Sequence, residues 1–422
     1  MTAGTGKAVR VAASIVIGSL ALACSVVAAG QGVSLDGFAQ SHVAGRTSRV
    51  ACPSGTACDF PAAELRGQLK AEGKNSSGDA AFLARLDLLR DAAVDDTRLV
   101  TRELFGDLTS EKASARLGRQ VITWGVGDLL FINDTFPKDW IAFFTGQPMQ
   151  YLKLGSDALK LNAFPGPANF ELVIAGFRPD NTPTSRRFIF AGPLPAGLQR
   201  RAREPGNDTG EVEISGRVSG YLANWELAGY VSRTHYGSPA WRVTGGREIA
   251  GTYPRLNTAG ASLTGPIGKG VVSLEAGYYD SPQDRGGRDP SVENSQFKGL
   301  VGYSRQLWED ATLGLQLYGE WMRDYAAYRE TLPAGFPLKD RLRKVATVRF
   351  TQFFAHQTVT FNLFVFVGLS EKDRYVIPSL RYAFSDNLWA EIGANLFGGK
   401  RNGMFGAMQD NSNVYVTVRY AF

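Results

Sequence analysis

The chain has little of what soluble catalysis and metal chemistry draw on. Its 422 residues include three cysteines, three histidines and five methionines. His42, His235 and His356 are scattered and none lies beside Cys52 or Cys58, so no zinc or haem spacing is present and no metal or cofactor is expected. There is no Gly-x-Ser-x-Gly, His-Glu-x-x-His or P-loop motif, and Gly125-Val126-Gly127 lacks the third glycine of a dinucleotide fingerprint. The acid-rich stretch 280–293 fits no defined calcium loop. An enzyme is therefore not expected. Beyond residue 30 no apolar run reaches about 18 residues, which excludes a helical membrane span there. The net charge of +6 includes Lys7 and Arg10 of a leader, leaving too little basicity to argue for nucleic acid.

What is present is glycine (48 residues), aromatics (11%) and a mean hydropathy of only −0.14. The leader itself has Lys7 and Arg10 ahead of an apolar run, 11–27, and then small residues at Val27-Ala28-Ala29. That pattern reads as a secretory signal peptide over 1–29, cut after Ala29 or Gly30. An uncleaved anchor, or a lipoprotein modified at Cys24, are the alternatives. Export leaves Cys52 and Cys58 around a turn-rich loop, 53–57, in a compartment that permits a disulfide between them.

The mature chain, 30–422, repeats segments of roughly 10 to 14 residues with period-two alternation, separated by turn residues. In the last, Val414, Val416, Val418, Tyr420 and Phe422 share one face while Tyr415, Thr417 and Arg419 share the other. A helix would separate Val414 from Val416, so the segment is a strand. Val359, Phe361, Leu363, Val365 and Val367 repeat the pattern, as do Leu313, Leu315 and Leu317. One apolar face and one charged face suit a sheet with lipid outside and water inside. Short connections (383–387, 354–357, 306–310, 264–269, 222–224, 165–167) alternate with long ones (399–412, 325–340, 281–295, 235–251, 179–210, 125–156), as periplasmic turns alternate with extracellular loops. The fold expected is all-β: a transmembrane antiparallel up-and-down β-barrel of about 18 strands, with 16 as the alternative. Between 97 and 124, Arg98, Arg102, Glu103 and Arg119 break the alternation, as a β-bulge would.

Strand parity points Asp87, Glu213, Glu226, Glu275, Glu320 and Glu391 inward, with Arg85, Lys160, Arg217, Arg255, Arg343, Arg349, Arg381 and Arg419. Burying so many charges dry would cost more than pairing recovers, so the lumen holds water and these residues are candidate pore-lining groups. Their slight basic excess suggests a weak anion preference; cross-strand pairing that only braces the wall is the plainer reading. Loop 125–156 is too aromatic for open water. Phe131, Phe136, Trp140, Phe143 and Phe144 would find partners by folding inward as a constriction loop; a lid at the rim or part of an additional strand are the alternatives. Loop 179–210 and its border carry Arg178, Arg186, Arg187, Arg200, Arg201 and Arg203: a basic vestibule, a lipopolysaccharide contact or a solvated loop.

Arg419-Tyr420-Ala421-Phe422, with its terminal aromatic, resembles the closing strand of Gram-negative outer-membrane proteins. The resemblance implies that Phe422 serves as a signal read by the barrel-assembly machinery. Gly118-Arg119-Gln120-Val121-Ile122-Thr123-Trp124-Gly125 is similar to a segment of large porin-like barrels, including alginate-export-like ones. The expectation is an outer-membrane porin passing small hydrophilic solutes passively. The alternatives are a barrel sheathing a partner such as a multihaem cytochrome, or an alginate-export-like polysaccharide channel. Outer-membrane lipid and lipopolysaccharide are its expected surroundings, and the apolar stripes are compatible with a homo-oligomer.

Overall fold

A computed structural model of the chain describes residues 32–48, 55–184, 186–189, 199–206, 211–243, 248–334 and 336–422. The leader and Cys52 lie outside the described residues; Cys58 is disulfide-bonded. The alternating segments are strands β1 (Ser34–Arg46), β2 (Ala62–Lys74), β3 (Ala80–Asp91), β4 (Asp96–Thr109), β5 (Ala113–Gln120), β6 (Ser156–Ala163) and β7 (Ala168–Ala175). Next come β8 (Gln199–Arg203), β9 (Glu213–Leu222), β10 (Trp225–His235), β11 (Ala240–Val243), β12 (Glu248–Thr252), β13 (Arg255–Ile267) and β14 (Gly270–Asp280). The remainder are β15 (Gln296–Trp308), β16 (Ala311–Met322), β17 (Leu342–Phe354), β18 (Val359–Gly368), β19 (Asp373–Ala383), β20 (Leu388–Gly399) and β21 (Asn413–Ala421).

Eighteen of these strands, all but β8, β11 and β12, form one sheet of sequential antiparallel neighbours. It closes where β1 pairs with β21, Phe38 opposite Ala421 and Arg46 opposite Asn413. Closure leaves the sheet without an unpaired edge strand. Phe422 completes the seam: its N–H and C=O exchange 2.9 Å bonds with Gly37, and its ring lies where a Cβ on Gly37 would sit.

The faces follow the alternation. On β21, Val414, Val416, Val418 and Tyr420 are exposed on the outside, while Asn413, Tyr415 and Thr417 are buried inside. Outward aromatics gather at two heights. Tyr278, Phe297 and Trp321 meet as tilted rings at one end, with centroids 4.7 and 5.9 Å apart. Trp308, Phe350 and Phe361 do so at the other, 6.1 and 6.3 Å apart. At ~3.3 Å per residue and a tilt of about 45°, the span from Phe297 to Trp308 is roughly 25 Å of height, the thickness of an outer-membrane apolar band.

The connections obey the short and long alternation over most of the chain, with two exceptions: 92–95 and 369–372 are tight turns at the long-loop end. The disrupted stretch contains a bulge, because Arg85 pairs with Glu103 while Leu86 pairs with Thr101, leaving Arg102 extra. Part of the basic loop is not irregular. β8 lies parallel to β12, which pairs with β11, giving a small sheet above the wall. That pairing joins two separate loops, so neither loop's sequence announces it.

Candidate functional site: the lumen and its inward loop

Residues 121–155, between β5 and β6, do not cap the rim. They run inside the barrel around much of its wall. At the start, Ile122 and Trp124 pack with Phe136 on Val173, Ala228 and Tyr230, and the Trp124 and Phe136 rings meet edge-on at 5.0 Å. The chain then reaches β14, where Glu275 accepts N–H bonds from Val126 and Gly127 (3.0 Å each) and Asn133 (2.8 Å). On β16, Gln316 brackets Asp128, accepting from its N–H (2.9 Å) and donating to its C=O (3.0 Å).

A short helix, Trp140–Phe144, follows, with the Asp139 carboxylate accepting from Ala142 N at 2.8 Å as its cap. Its aromatics enter the largest apolar cluster, with Phe364, Phe366, Tyr375 and Phe397 on the wall. Phe144 lies 5.8 Å from the Tyr375 ring and 5.6 Å from Phe397; Phe143 lies 5.6 Å from Tyr375. Phe131 meets Trp140 at 6.0 Å, and Trp140 Nε1 donates to Asp180 of the next long loop at 3.1 Å. Beyond the helix the loop reaches the seam. His42 Nε2 donates to Thr145 O (3.0 Å), which leaves Nδ1 to accept from the Thr417 hydroxyl (2.8 Å). Gly146 (φ +77°) passes so close to Tyr415 that a Cβ would fall 2.1 Å from its ring. Tyr151 then lies under the guanidiniums of Arg66 and Arg102, at 4.0 and 4.7 Å. All five aromatics expected of the inward loop are thus inside the barrel, joined to different parts of the wall.

Loop charges are neutralised locally. Lys138 and Lys153 converge on Asp134, and Lys138 also donates to Phe136 O at 2.7 Å. Burial pushes the Asp139 carboxyl above its ordinary range, opposed by the N–H bond from Ala142 and that from Asn181. Burial, followed by the nearby Arg119 charge, lowers Arg178 to about 10.

Of the charged residues named by parity, all but Arg255 lie on inward faces, most in pairs. Arg255 is in step with Ala259, which stands opposite the outward Val231 and Tyr278, because the inward residues of β13 are the even ones, Leu256, Thr258 and Ser262. Asp87 accepts from Arg66 (2.5 Å) and Gln68 (2.6 Å), and Arg85 binds Glu103 (2.5 Å). Lys160 and Arg217 share Glu171 at 2.7 and 3.1 Å, and Arg217 also meets Glu226 at 3.0 Å. Glu213 accepts from the His235 N–H at 3.0 Å, while Arg255 binds Glu211 at 2.7 Å. Arg343 stands between Glu320 (3.8 Å) and Glu371 (3.4 Å). Arg349 pairs with loop residue Asp128 at 2.9 Å, Arg381 with Glu391 at 3.0 Å, and Arg419 donates to Gln40 at 3.0 Å.

Two of the pairs are unequally wet: Arg349 is 56% exposed against 37% for Asp128, and Arg381 41% against 10% for Glu391, whereas Arg66 and Asp87 are both buried. Open cavities lie beside the loop among the described residues. One, about 450 Å³, is lined by Asp128, Lys153, Arg349, Arg381, Glu391 and Tyr415 among others; the second, about 410 Å³, lies toward Ser273, Ser304, Thr312 and Gln316. Asp128 and Arg349 line both.

No family model and no curated protein matches the chain. Solved structures do. OccK5 (OpdH) of Pseudomonas aeruginosa superposes with a TM-score of 0.54 at 11% identity, covering 92% of this chain and 98% of that one. OccAB2 of Acinetobacter baumannii gives 0.54 at 10% identity, over 93% and 98%. This chain shares their fold. A porin mutant of Rh. blastica aligns over 93% and 100% at 12% identity, with a TM-score of 0.44.

Parity brought out the inward residues but not what covers them. Glu275, Gln316 and His42 act as loop anchors, and Asp128 as the partner of Arg349, because of contacts at separations of 103 to 221 residues. The signal available in sequence was indirect: closely spaced glycines at 125 and 127, next to a loop too apolar for water.

Proposed function

We propose that the protein is a passive channel of a bacterial outer membrane for small hydrophilic solutes, with a preference for anions, narrowed by the loop 125–156. The observation that carries this reading is the unequal exposure inside the barrel. The outer wall is apolar at mid-height, so the polar face lines an aqueous lumen. Within it Arg349 is more exposed than its partner Asp128 (56% against 37%), and Arg381 more than Glu391 (41% against 10%). A solute therefore meets Arg349 and Arg381 more than their counter-charges, while Arg419 is held by the uncharged Gln40, and side-chain charge lining a pore biases which ions pass.

The exported leader over 1–29 and recognition of Phe422 by the assembly machinery belong to the same reading. A sheath around a partner protein needs an empty lumen. Here the chain's own loop runs through it, bound to Glu275 on β14, Gln316 on β16 and His42 on β1. The paired acids also set this lumen apart from an arginine-lined polysaccharide exporter.

Proteoliposome swelling tests the proposal. Vesicles carrying the protein should swell in small sugars and faster in a small carboxylate salt of similar size, and should exclude large oligosaccharides. No swelling above protein-free vesicles would overturn it.

A further inference from the structure

We propose that Glu275 is a latch holding the front of the inward loop against the wall, and that it keeps the Asp128–Arg349 pair standing as a partition between the two lumenal cavities. The inference rests on the channel reading above and adds to it a movable element and the residue that controls it.

Glu275 is 3% exposed, yet no lysine or arginine pairs with it among the described residues. Its charge is met by N–H groups of a single segment. Oε2 accepts from Val126 N and Gly127 N at 3.0 Å each; Oε1 accepts from Asn133 N at 2.8 Å and Asn133 Nδ2 at 2.9 Å. Bonds to an ionised acceptor are about twice as strong as neutral ones, and a carboxylate has room for about four. The segment is shaped for this approach. Gly125 (φ +78°) brings the backbone so near that a Cβ would lie 2.6 Å from Glu275 Oε1.

The latch has a consequence two residues on. With Val126 and Gly127 held, Asp128 N–H and C=O both fall on Gln316, and its carboxylate meets Arg349 at 2.9 Å. Both members of that pair line both cavities, so the pair lies where the two adjoin. Because the lumen holds water, an opened Glu275 exchanges its N–H partners for water instead of being stranded dry, so the contact can break and re-form.

Full-length protein in planar bilayers tests this as wild type, as E275Q, and as E275Q carrying I132C and G277C. A glutamine presents its own NH2 to part of this donor set and cannot satisfy all four N–H groups. A Cβ on Gly277 would lie 2.7 Å from Ile132 Cγ2, so the cysteine pair ties the same segment to β14 by another route. E275Q should raise single-channel conductance about twofold and add flicker, since opening merges the two cavities. Oxidising the cysteine pair should return the wild-type level, and reduction should restore the raised one. A conducting wild type with an indistinguishable E275Q overturns the latch alone; a silent wild type overturns the channel reading and the latch with it. Should E275Q not assemble, Q316L frees Asp128 while leaving Glu275 in place. Raised conductance in Q316L supports the partition, and wild-type conductance overturns it.

Discussion

Phe144→Ala should loosen the inward loop without weakening the barrel. Phe144 is 6% exposed and packs on Trp140, Phe143, Tyr375 and Phe397 with centroids 5.4 to 6.2 Å away. Truncating a buried phenylalanine costs about 3–5 kcal/mol, the lower figure applying where neighbours can collapse into the space. Phe143 and Phe405 belong to the same cluster and can do so. The barrel wall closes through its own backbone ladder, so the loss falls on local opening of the loop and not on global unfolding. A cost of about 3 kcal/mol moves that opening equilibrium roughly 100-fold. Hydrogen exchange read by mass spectrometry reports it through Thr145, Gly146 and Gln147, whose N–H groups bond to Ile141, Phe143 and Ala142 carbonyls within the loop. Exchange there should quicken by about two orders of magnitude while peptides from β19 and β20 keep their protection. Unchanged protection at 145–147 would refute the reasoning, and so would equal loss along the wall.

Deleting 140–144 removes the segment that fills the lumen beside β18 to β20 and should raise single-channel conductance; an unchanged value would place the loop off the solute path. Replacing Arg349, Arg381 and Arg419 together by glutamine should carry the reversal potential in a salt gradient toward the cation side, because it leaves Asp128 and Glu391 unpaired. Gly146→Val should lower the yield of heat-modifiable barrel, since φ is +77° and Tyr415 occupies the side-chain space; yield equal to wild type would count against the seam packing. Removing Phe422 should slow assembly in cells, measured as the unfolded fraction on unheated gels, and a normal folded fraction would count against its role as a signal.

Much of the wall could be read from residues two apart. On β21 and β18 one face is apolar throughout, and nothing but a strand puts Val414 with Val416. The alternation of short and long connections carried the strand number to eighteen, because each turn must return the chain to the other side. It was weakest at 92–95 and 369–372, where a tight turn stands at the long-loop end. Arg102 showed as a break in pattern before the bulge explained it. The site was less legible. That loop 125–156 turns inward followed from its aromatics, but its route depends on Glu275, Gln316, Tyr375 and His42, each far from the loop in sequence. Parity assigns a side chain to a face; it does not say whether water or the chain's own backbone meets it. For Glu275 it is the loop's N–H groups; Arg349 and Arg381 meet water as well as Asp128 and Glu391.

In the proposed channel an aqueous path past Arg349 crosses the membrane through this barrel. It is tested most directly by the wild-type protein in a planar bilayer under a potassium chloride gradient. Stepwise, ohmic conductance is expected, with a reversal potential on the chloride side of zero. A barrel that inserts and stays silent, or one that conducts with a reversal potential on the potassium side, would contradict it.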